Sequence, residues 1–173
     1  DAVTVEEIEK VSYNPDGTSE TYAEAWTKIL TEKGRREESL ITLHYSKRYG
    51  SARILYVGAI DAQGREREIN VTATTKESTD NSSVVANIYD PLDRQIACTI
   101  PGLKIGETVH IKIHRKTDKS RIKNHWADIC IMEWKAPILK SVYEVKAPAS
   151  RPIRAKAIRN PLGNVTETVN KHA

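Results

Sequence analysis

Turn-forming residues divide this chain of 173 residues at short intervals. The spacing between them is mostly about ten to nineteen residues, and β-rich segments fill the intervals. This pattern is typical of a β-sandwich or barrel and disfavours βαβ units. The turn signals are Asn14-Pro15-Asp16-Gly17, Gly34, Gly50, Gln63-Gly64, Asp90-Pro91-Leu92-Asp93, Pro101-Gly102, Pro137, Pro148 and Asn160-Pro161-Leu162-Gly163.

Between these turns, apolar and polar residues alternate as they do in a strand that buries one face. Residues 109–114 and 69–74 both alternate in this way, so each is predicted as a strand. Residues 53–60 contain almost no polar residue, which is typical of a strand covered on both faces, and we place them in the middle of the core. The sequence therefore predicts an all-β fold, a two-layer, mostly antiparallel β-sandwich with at most one short helix.

Residues 20–34 fit either a strand or a helix. Trp26, Ile29 and Leu30 lie near helical spacing, and Gly34 would suit the end of a helix. The Asn-Pro-Asp-Gly signal just before this segment is typical of a hairpin turn between two strands, so we favour a strand.

Length and composition fit one domain, since a chain of this size buries roughly 70% of the surface that it exposes when unfolded. No apolar run approaches about 18 residues, so no membrane insertion is expected. We assign residues 1–163 to the β-sandwich and residues 164–173 to a tail, or to a linker towards a downstream domain that this sequence does not contain. Because the sequence starts at Asp1 without an initiator Met or a leader, we expect either an excised piece or removal of a signal peptide.

Charge is unevenly distributed along the chain. Residues 1–103 carry 12 Lys/Arg and 17 Asp/Glu (12 − 17 = −5), whereas residues 104–173 carry 15 and 6 (15 − 6 = +9). A basic surface attracts nucleic acid, anionic glycan or an acidic partner domain, although a solvated face is the commonest explanation. We interpret the densest basic run as a solvated hairpin loop and expect no nucleic-acid partner; the run consists of Arg115, Lys116, Lys119, Arg121 and Lys123.

The histidines do not predict a metal site. His110 and His114 would be neighbours on a helix. Their segment alternates as a strand, which places both side chains on the solvent face about 13 Å apart, too far for one ion. His44 and His125 are interpreted as hydrogen-bonded or exposed histidines.

Cys98 and Cys130 are too few for a disulfide scaffold, and whether they are bridged stays open, although we favour free, buried thiols. Cys98 shares strand parity with Ile96 and Ile100, and Cys130 lies in an apolar run. Neither cysteine has a local cationic group or histidine that would activate it as a nucleophile.

Hydrolase and nucleotide-binding motifs are missing, including Gly-x-Ser-x-Gly, His-Glu-x-x-His and a phosphate-binding glycine loop. The neighbouring acids Glu6-Glu7 and Glu37-Glu38 would point to opposite faces of a strand, so they do not suit paired acid–base work. We therefore predict no catalytic residue, no metal ligand and no cofactor, and we leave binding residues unassigned.

Trp126 and Trp134 share parity along one predicted strand with Cys130 and Met132. Core packing is the favoured interpretation of these two tryptophans. The alternative is an exposed platform, because aromatic rings stack on sugars and on bases.

Taken in order, several segments resemble a bacterial domain of unknown function that precedes transglutaminase-like cores in exported proteins. The likeness covers roughly residues 5 to 160 and depends on order and spacing rather than on one motif. The segments are Ala25-Trp26-Thr27-Lys28-Ile29-Leu30-Thr31-Glu32-Lys33-Gly34, Tyr45, residues 54–64, Ile88-Tyr89-Asp90-Pro91-Leu92-Asp93-Arg94, Ile100-Pro101-Gly102-Leu103-Lys104-Ile105-Gly106-Glu107, Pro137 and Tyr143-Glu144-Val145-Lys146-Ala147-Pro148.

This resemblance implies a β-sandwich similar to the N-terminal domain of aminopeptidase-N-type peptidases, placed ahead of a papain-like Cys-His-Asp core. It implies a non-catalytic accessory domain of an exported (periplasmic or cell-surface) protein that packs on that core or presents substrate to it. The partner is then the downstream domain of the same polypeptide. The alternative is a free-standing carbohydrate- or peptide-binding module, and a third possibility is an enzyme whose site has no known motif.

Overall fold

The computed structural model describes residues 1–81, 89–132, 136–157 and 163–168. Nine strands and two short helices occur in this part of the chain. The strands are β1 (Ala2–Tyr13), β2 (Ser19–Ile29), β3 (Leu40–Ser46), β4 (Gly50–Ile60), β5 (Glu66–Glu68), β6 (Thr75–Thr79), β7 (Asp93–Thr99), β8 (Thr108–Thr117) and β9 (Ser141–Lys146), and the helices are α1 (Glu32–Glu38) and α2 (Val71–Thr74).

The strands form two sheets. The larger has six strands in the order β5-β4-β8-β2-β1-β9, and the smaller has three in the order β3-β7-β6. Every pairing is antiparallel except that of β9 with β1, which is parallel. The predicted two-layer, mostly antiparallel β-sandwich is therefore confirmed.

The β1–β2 hairpin confirms the strand prediction for the ambiguous segment. Gly17 adopts a φ of 87° in the turn, where a residue with a side chain would be strained. Asp16 accepts hydrogen bonds from the backbone and hydroxyl of Thr18, which closes the turn. The strand then runs to Ile29, and Gly34 lies inside α1 rather than at the end of a longer helix.

Strand β4 differs from the prediction of a central strand covered on both faces. It is the second strand of its sheet, next to the three-residue edge strand β5. Ala52, Ile54, Val57 and Ala59 face the core, whereas on the other face of this strand Ser51 and Arg53 are exposed and Gly58 alone is buried. A register shift beside Leu55 leaves this side chain outside, and that bulge explains why the segment is apolar without being buried on both faces.

The core lies between the smaller sheet and β4, β8 and the adjoining ends of β1 and β2 in the larger one. Its fully buried members include Ile29, Val57 and Cys98. Residues 69–74 do not form the predicted strand. Ile69 enters the core, and Asn70 then caps the single-turn helix α2. The described residues therefore contain one short helix more than the sequence predicts. In the described part of the chain no helix is long and apolar enough to span a membrane.

Candidate functional site

The outer face of the larger sheet, which is turned away from the smaller sheet, carries His110 and His114 from β8. The two side chains lie on one face, as predicted, but they are buried, with exposed fractions of 8% and 5%. The expected solvent exposure is wrong because aromatic rings cover both histidines. Tyr22 lies 4.5 Å from His114, and Trp26 and Tyr56 lie 4.6 and 5.0 Å from His110, measured between ring centroids.

His110 bridges two carboxylates. Its Nε2 lies 2.7 Å from Oε1 of Glu24, and its Nδ1 lies 2.8 Å from Oε1 of Glu66. Burial disfavours the charged form of Glu24, but hydrogen bonds from Lys112 and His110 outweigh burial and lower the pKa of this carboxyl. Each ring nitrogen thus faces a carboxylate oxygen, and the imidazole links β2 to β5.

Gly58 leaves room for the side chains of Glu66 and Tyr56 beside His110. A Cβ atom at this position would lie 2.5 Å from Oε1 of Glu66 and 2.7 Å from the hydroxyl of Tyr56. Burial and a hydrogen bond to Glu66 raise the pKa of Tyr56 to about 12, so the phenol remains a donor. The pKa of Glu66 is lowered, because the hydrogen bonds from His110 and Tyr56 outweigh burial.

His114 has a different environment from His110. Its Nδ1 lies 3.3 Å from Nη2 of Arg53, and its Nε2 lies 2.7 Å from Oε1 of Glu20. A guanidinium only donates, so Nδ1 must accept and the proton must sit on Nε2, which donates to Glu20. The hydrogen bond from His114 is the main cause of the lowered pKa of Glu20.

The two histidines therefore hold carboxylates and aromatic rings in place. Among the residues that the structure describes, no group of three His, Cys, Asp or Glu side chains could hold a metal ion. Sequence reasoning missed the partners of the histidines on β2 and β4. The signal that could have found them is the alternation of Glu20, Tyr22, Glu24 and Trp26, which places acid and aromatic groups on the face opposite Ala23 and Ala25.

The inner face of the larger sheet is covered unevenly. Beyond β8, strand pairing places Ala23 and Ala25 of β2 on the same face as Glu9 and Glu7 of β1. The irregular segment 125–132 passes over these residues in place of a strand. A cavity of about 290 Å³ remains there, lined by Glu7, Ile8, Glu9, Ala23, Glu24, Ala25, Ile129, Cys130, Ile131, Ser141 and Val142.

Acidic groups and a thiol surround this cavity. Burial and then Asp128 raise the pKa of Glu9. Tyr143 donates a 2.8 Å hydrogen bond to Asp128, and burial followed by this bond raises the pKa of the phenol. Burial and then Glu9 raise the pKa of Cys130 to about 11, which is the opposite of the shift that activates a cysteine nucleophile.

Both cysteines are free, as favoured from the sequence. Cys98 is fully buried with Ile96 and Ile100, which confirms its strand parity. Cys130 is only half-buried and lies outside any strand, so the predicted strand through residues 126–134 is wrong over its described part.

The remaining predicted residues are scattered. His44 is hydrogen-bonded to Asp80 at 2.7 Å, and His125 is exposed. Trp126 stacks on Tyr13 with ring centroids 4.5 Å apart, whereas Trp134 lies outside the described residues.

The neighbouring acids and the basic run that the sequence singles out also have separate environments. Glu6 and Glu7 have different partners, Lys140 and Ser141. The basic run is not a hairpin loop. Arg115 and Lys116 belong to β8, and the rest of the run follows that strand in an irregular segment.

Comparison with solved structures supports the fold. A crystal structure of a "putative protease" from Parabacteroides distasonis matches with a TM-score of 0.60 and 13% sequence identity, over 69% of this chain and 23% of that chain. This chain thus spans about a quarter of the length of that protein.

Two structures of a family 3a carbohydrate-binding module from the cipA scaffolding of Clostridium thermocellum match less well. Their TM-scores are 0.33 and 0.36 at 16% and 14% identity, over 64% and 74% of this chain and 76% of each module chain. Likeness at this level supports no inference about this chain. No curated protein matches the sequence.

The family comparison covers nearly the whole chain. The matching model is described as "Domain of Unknown Function with solved-structure structure (DUF3857)" and spans residues 15–172. This chain belongs to the DUF3857 family of domains.

Proposed function

We propose that this domain is a non-catalytic accessory domain of an exported transglutaminase-like or protease-like protein. It packs on a downstream core of the same polypeptide and helps to present substrate to that core. The likeness in fold to about a quarter of a longer, protease-like protein supports this proposal.

An exposed apolar rim beside β1 and β9 carries the proposal. Ile129 and Ile131 have exposed fractions of 84% and 57%. Both line the same cavity, so they form one surface. Leu139, which is 68% exposed, lies at the same edge of the sheet, where its backbone donates to Thr4 of β1. Contiguous exposed apolar residues of this kind mark a surface that another domain covers.

The rim lies where the sandwich is incomplete. The smaller sheet covers β4, β8 and the ends of β1 and β2 at Ala2 and Ile29. Among the described residues, the segment 125–132 and a cavity lie on the inner face of the rest of β2, β1 and β9. A neighbouring domain placed there would complete the second layer and bury Ile129 and Ile131. Interdomain interfaces combine such apolar contacts with polar ones, and Glu7 and Glu9 supply acidic groups at the base.

The chemistry of the described residues supports a role without catalysis. The thiol of Cys130 has a raised pKa and carboxylates as neighbours, and the two buried histidines have both ring nitrogens engaged. A nucleophile with a free base beside it is what a hydrolase of this class would need.

The gene itself gives the first test. A longer reading frame with a signal peptide upstream and a Cys, His and Asp core downstream is expected. A stop codon close to Ala173 would contradict the accessory role and shift weight to a free-standing module.

Variants at the rim test the docking surface. Ile129→Glu and Ile131→Glu should lower the unfolding temperature of the longer protein and leave that of the isolated domain unchanged, because both side chains are exposed only when the domain is alone. Ile122→Glu is the matched control, since Ile122 is 67% exposed and lies outside the rim. Equal effects of rim and control variants in the longer protein would rule out this surface.

The second candidate function is a free-standing carbohydrate- or peptide-binding module. The observation that favours it is the row of aromatic residues on the outer face, formed by Tyr22, Trp26 and Tyr56 rather than by Trp126.

A further inference from the structure

Aromatic rings stand in an ordered arrangement at the centre of the outer face. Tyr22 and Trp26 lie four residues apart on β2, which separates them by about 13 Å along the strand. Tyr56 lies on β4, and β8 with its two histidines runs between the two strands. Tyr22 is 49% exposed and Trp26 is half-buried, so both rings reach solvent.

These rings are fixed before any ligand arrives. His110 and His114 pack against them and are themselves held by Glu20, Glu24 and Glu66 at 2.7–2.8 Å. The exposed face of an ordinary sheet carries mobile side chains, and ordering those on binding costs affinity. Rings that are already ordered avoid this cost, which is a property of recognition surfaces.

Formal charges on the outward-facing positions of β2, β4, β5 and β8 balance without any contribution from the histidines. Glu20, Glu24, Glu66 and Glu68 contribute −4, and Lys28, Arg53, Lys112 and Lys116 contribute +4, so the sum is zero. A nucleic acid or an anionic glycan would need a clear positive excess. The ligand that fits this balance is uncharged.

The same groups leave hydrogen-bonding capacity for a hydroxyl-rich ligand. Each carboxylate offers about four acceptor positions. Tyr22 and His114 bind Glu20, and His110 and Lys112 bind Glu24, so these contacts use only part of them. Lys112 has further N–H donors beyond the one that binds Glu24. A protein partner fits less well, because charged residues are depleted at the centre of protein interfaces.

We infer that the outer face binds a neutral oligosaccharide. The apolar faces of its sugar rings pack on Tyr22 and Trp26, and its hydroxyls bind Glu20, Glu24 and Lys112. The distance between the two rings requires an oligomer rather than a single sugar. This inference deepens the second candidate function and does not depend on the accessory role, since Ile129 and Ile131 lie on the other side of the larger sheet.

Titration of the isolated domain with neutral oligosaccharides tests the inference. The probes are hexamers of β-1,4-glucose, α-1,4-glucose, β-1,4-mannose and β-1,4-N-acetylglucosamine, followed by amide chemical shifts in NMR spectra. At least one probe should give saturable shifts confined to β2, β4 and β8. Tyr22→Ala should weaken that binding about tenfold. The amide shifts of the smaller sheet should stay unchanged in this variant, which shows that the domain still folds.

Three comparisons make the result decisive. Tyr89→Ala removes a tyrosine that is 64% exposed and lies outside the larger sheet, so binding should not change. Trp26→Phe keeps a ring over His110 and should retain most of the affinity that Trp26→Ala loses. The inference is wrong if no probe gives saturable shifts or if Tyr22→Ala and Tyr89→Ala bind alike. It is also wrong if the amide signals of this face shift when the downstream domain, rather than a sugar, is added.

Discussion

Gly58 is the residue on which the packing of the outer face most depends. Its missing side chain leaves the space that Glu66 and Tyr56 occupy. Gly58→Ala should therefore destabilise the domain by about 1–3 kcal/mol, because an inserted methyl group forces both neighbours to move. Urea unfolding measures this change. Ser51→Ala, at an exposed position of the same strand, should stay within about 0.5 kcal/mol and serves as the control.

His110 and His114 differ in the exposure of the groups that they hold. His110→Gln loses the hydrogen bond to Glu24 or to Glu66, both of which are partly buried, and should cost about 1–3 kcal/mol. His114→Gln disturbs Glu20 and Arg53, which are exposed, and should cost less. Equal losses in denaturant unfolding of the two variants would contradict the bridging role of His110.

The parity of these histidines was predictable from residue alternation, but their burial was not. Alternation reports which face a side chain occupies and says nothing about what lies above it. The rings of Tyr22, Trp26 and Tyr56 come from β2 and β4, and only the strand order places them beside β8.

Among the elements, β9 holds the incomplete side of the sandwich together. It pairs in parallel with β1, and its Tyr143 donates to Asp128 in the irregular segment. Tyr143→Phe should cost about 1 kcal/mol, since the bond is made to an exposed carboxylate, and should speed amide exchange in residues 125–132. Tyr89→Phe is the control. Unchanged exchange in that segment would show that Tyr143 does not anchor it.

Local signals predicted some elements and failed for others. The turn at Gly17 was sufficient to identify the β1–β2 hairpin. Residues 69–74 alternate like a strand, but Asn70 caps a single helical turn there, because a local cap and the burial of Ile69 outweigh alternation. The apolar run of β4 was misread because the bulge at Leu55 cannot be seen in the sequence.

For the whole molecule, acid should weaken folding. The pKa is lowered for Asp16, Glu20, Glu24, Glu32, Asp61, Glu66, Glu77 and Asp90, and it is raised for the carboxyls of Glu9 and Glu38. A lowered pKa stabilises the folded state above the unfolded-state value, 4.5 for a glutamate, and this contribution disappears as the pH falls through the folded-state pKa.

The raised pKa values of Glu9 and Glu38 act in the opposite direction. The eight lowered pKa values outnumber them and set the sign of the pH dependence of stability. The free energy of unfolding should be steady near neutral pH and fall below about pH 4.5. Glu66→Gln should reduce the steepness of this fall, because it removes one of the shifted groups. Stability that rises on acidification would contradict the network on the outer face.

Docking of the whole domain on a neighbour is the central proposal, and hydrogen exchange tests it most directly. Amide exchange by mass spectrometry is compared between the isolated domain and the longer protein that its gene encodes. Docking predicts slower exchange in residues 128–132 and 139–143 of the longer protein, with the smaller sheet unchanged. Equal exchange of the rim segments in both proteins would contradict it.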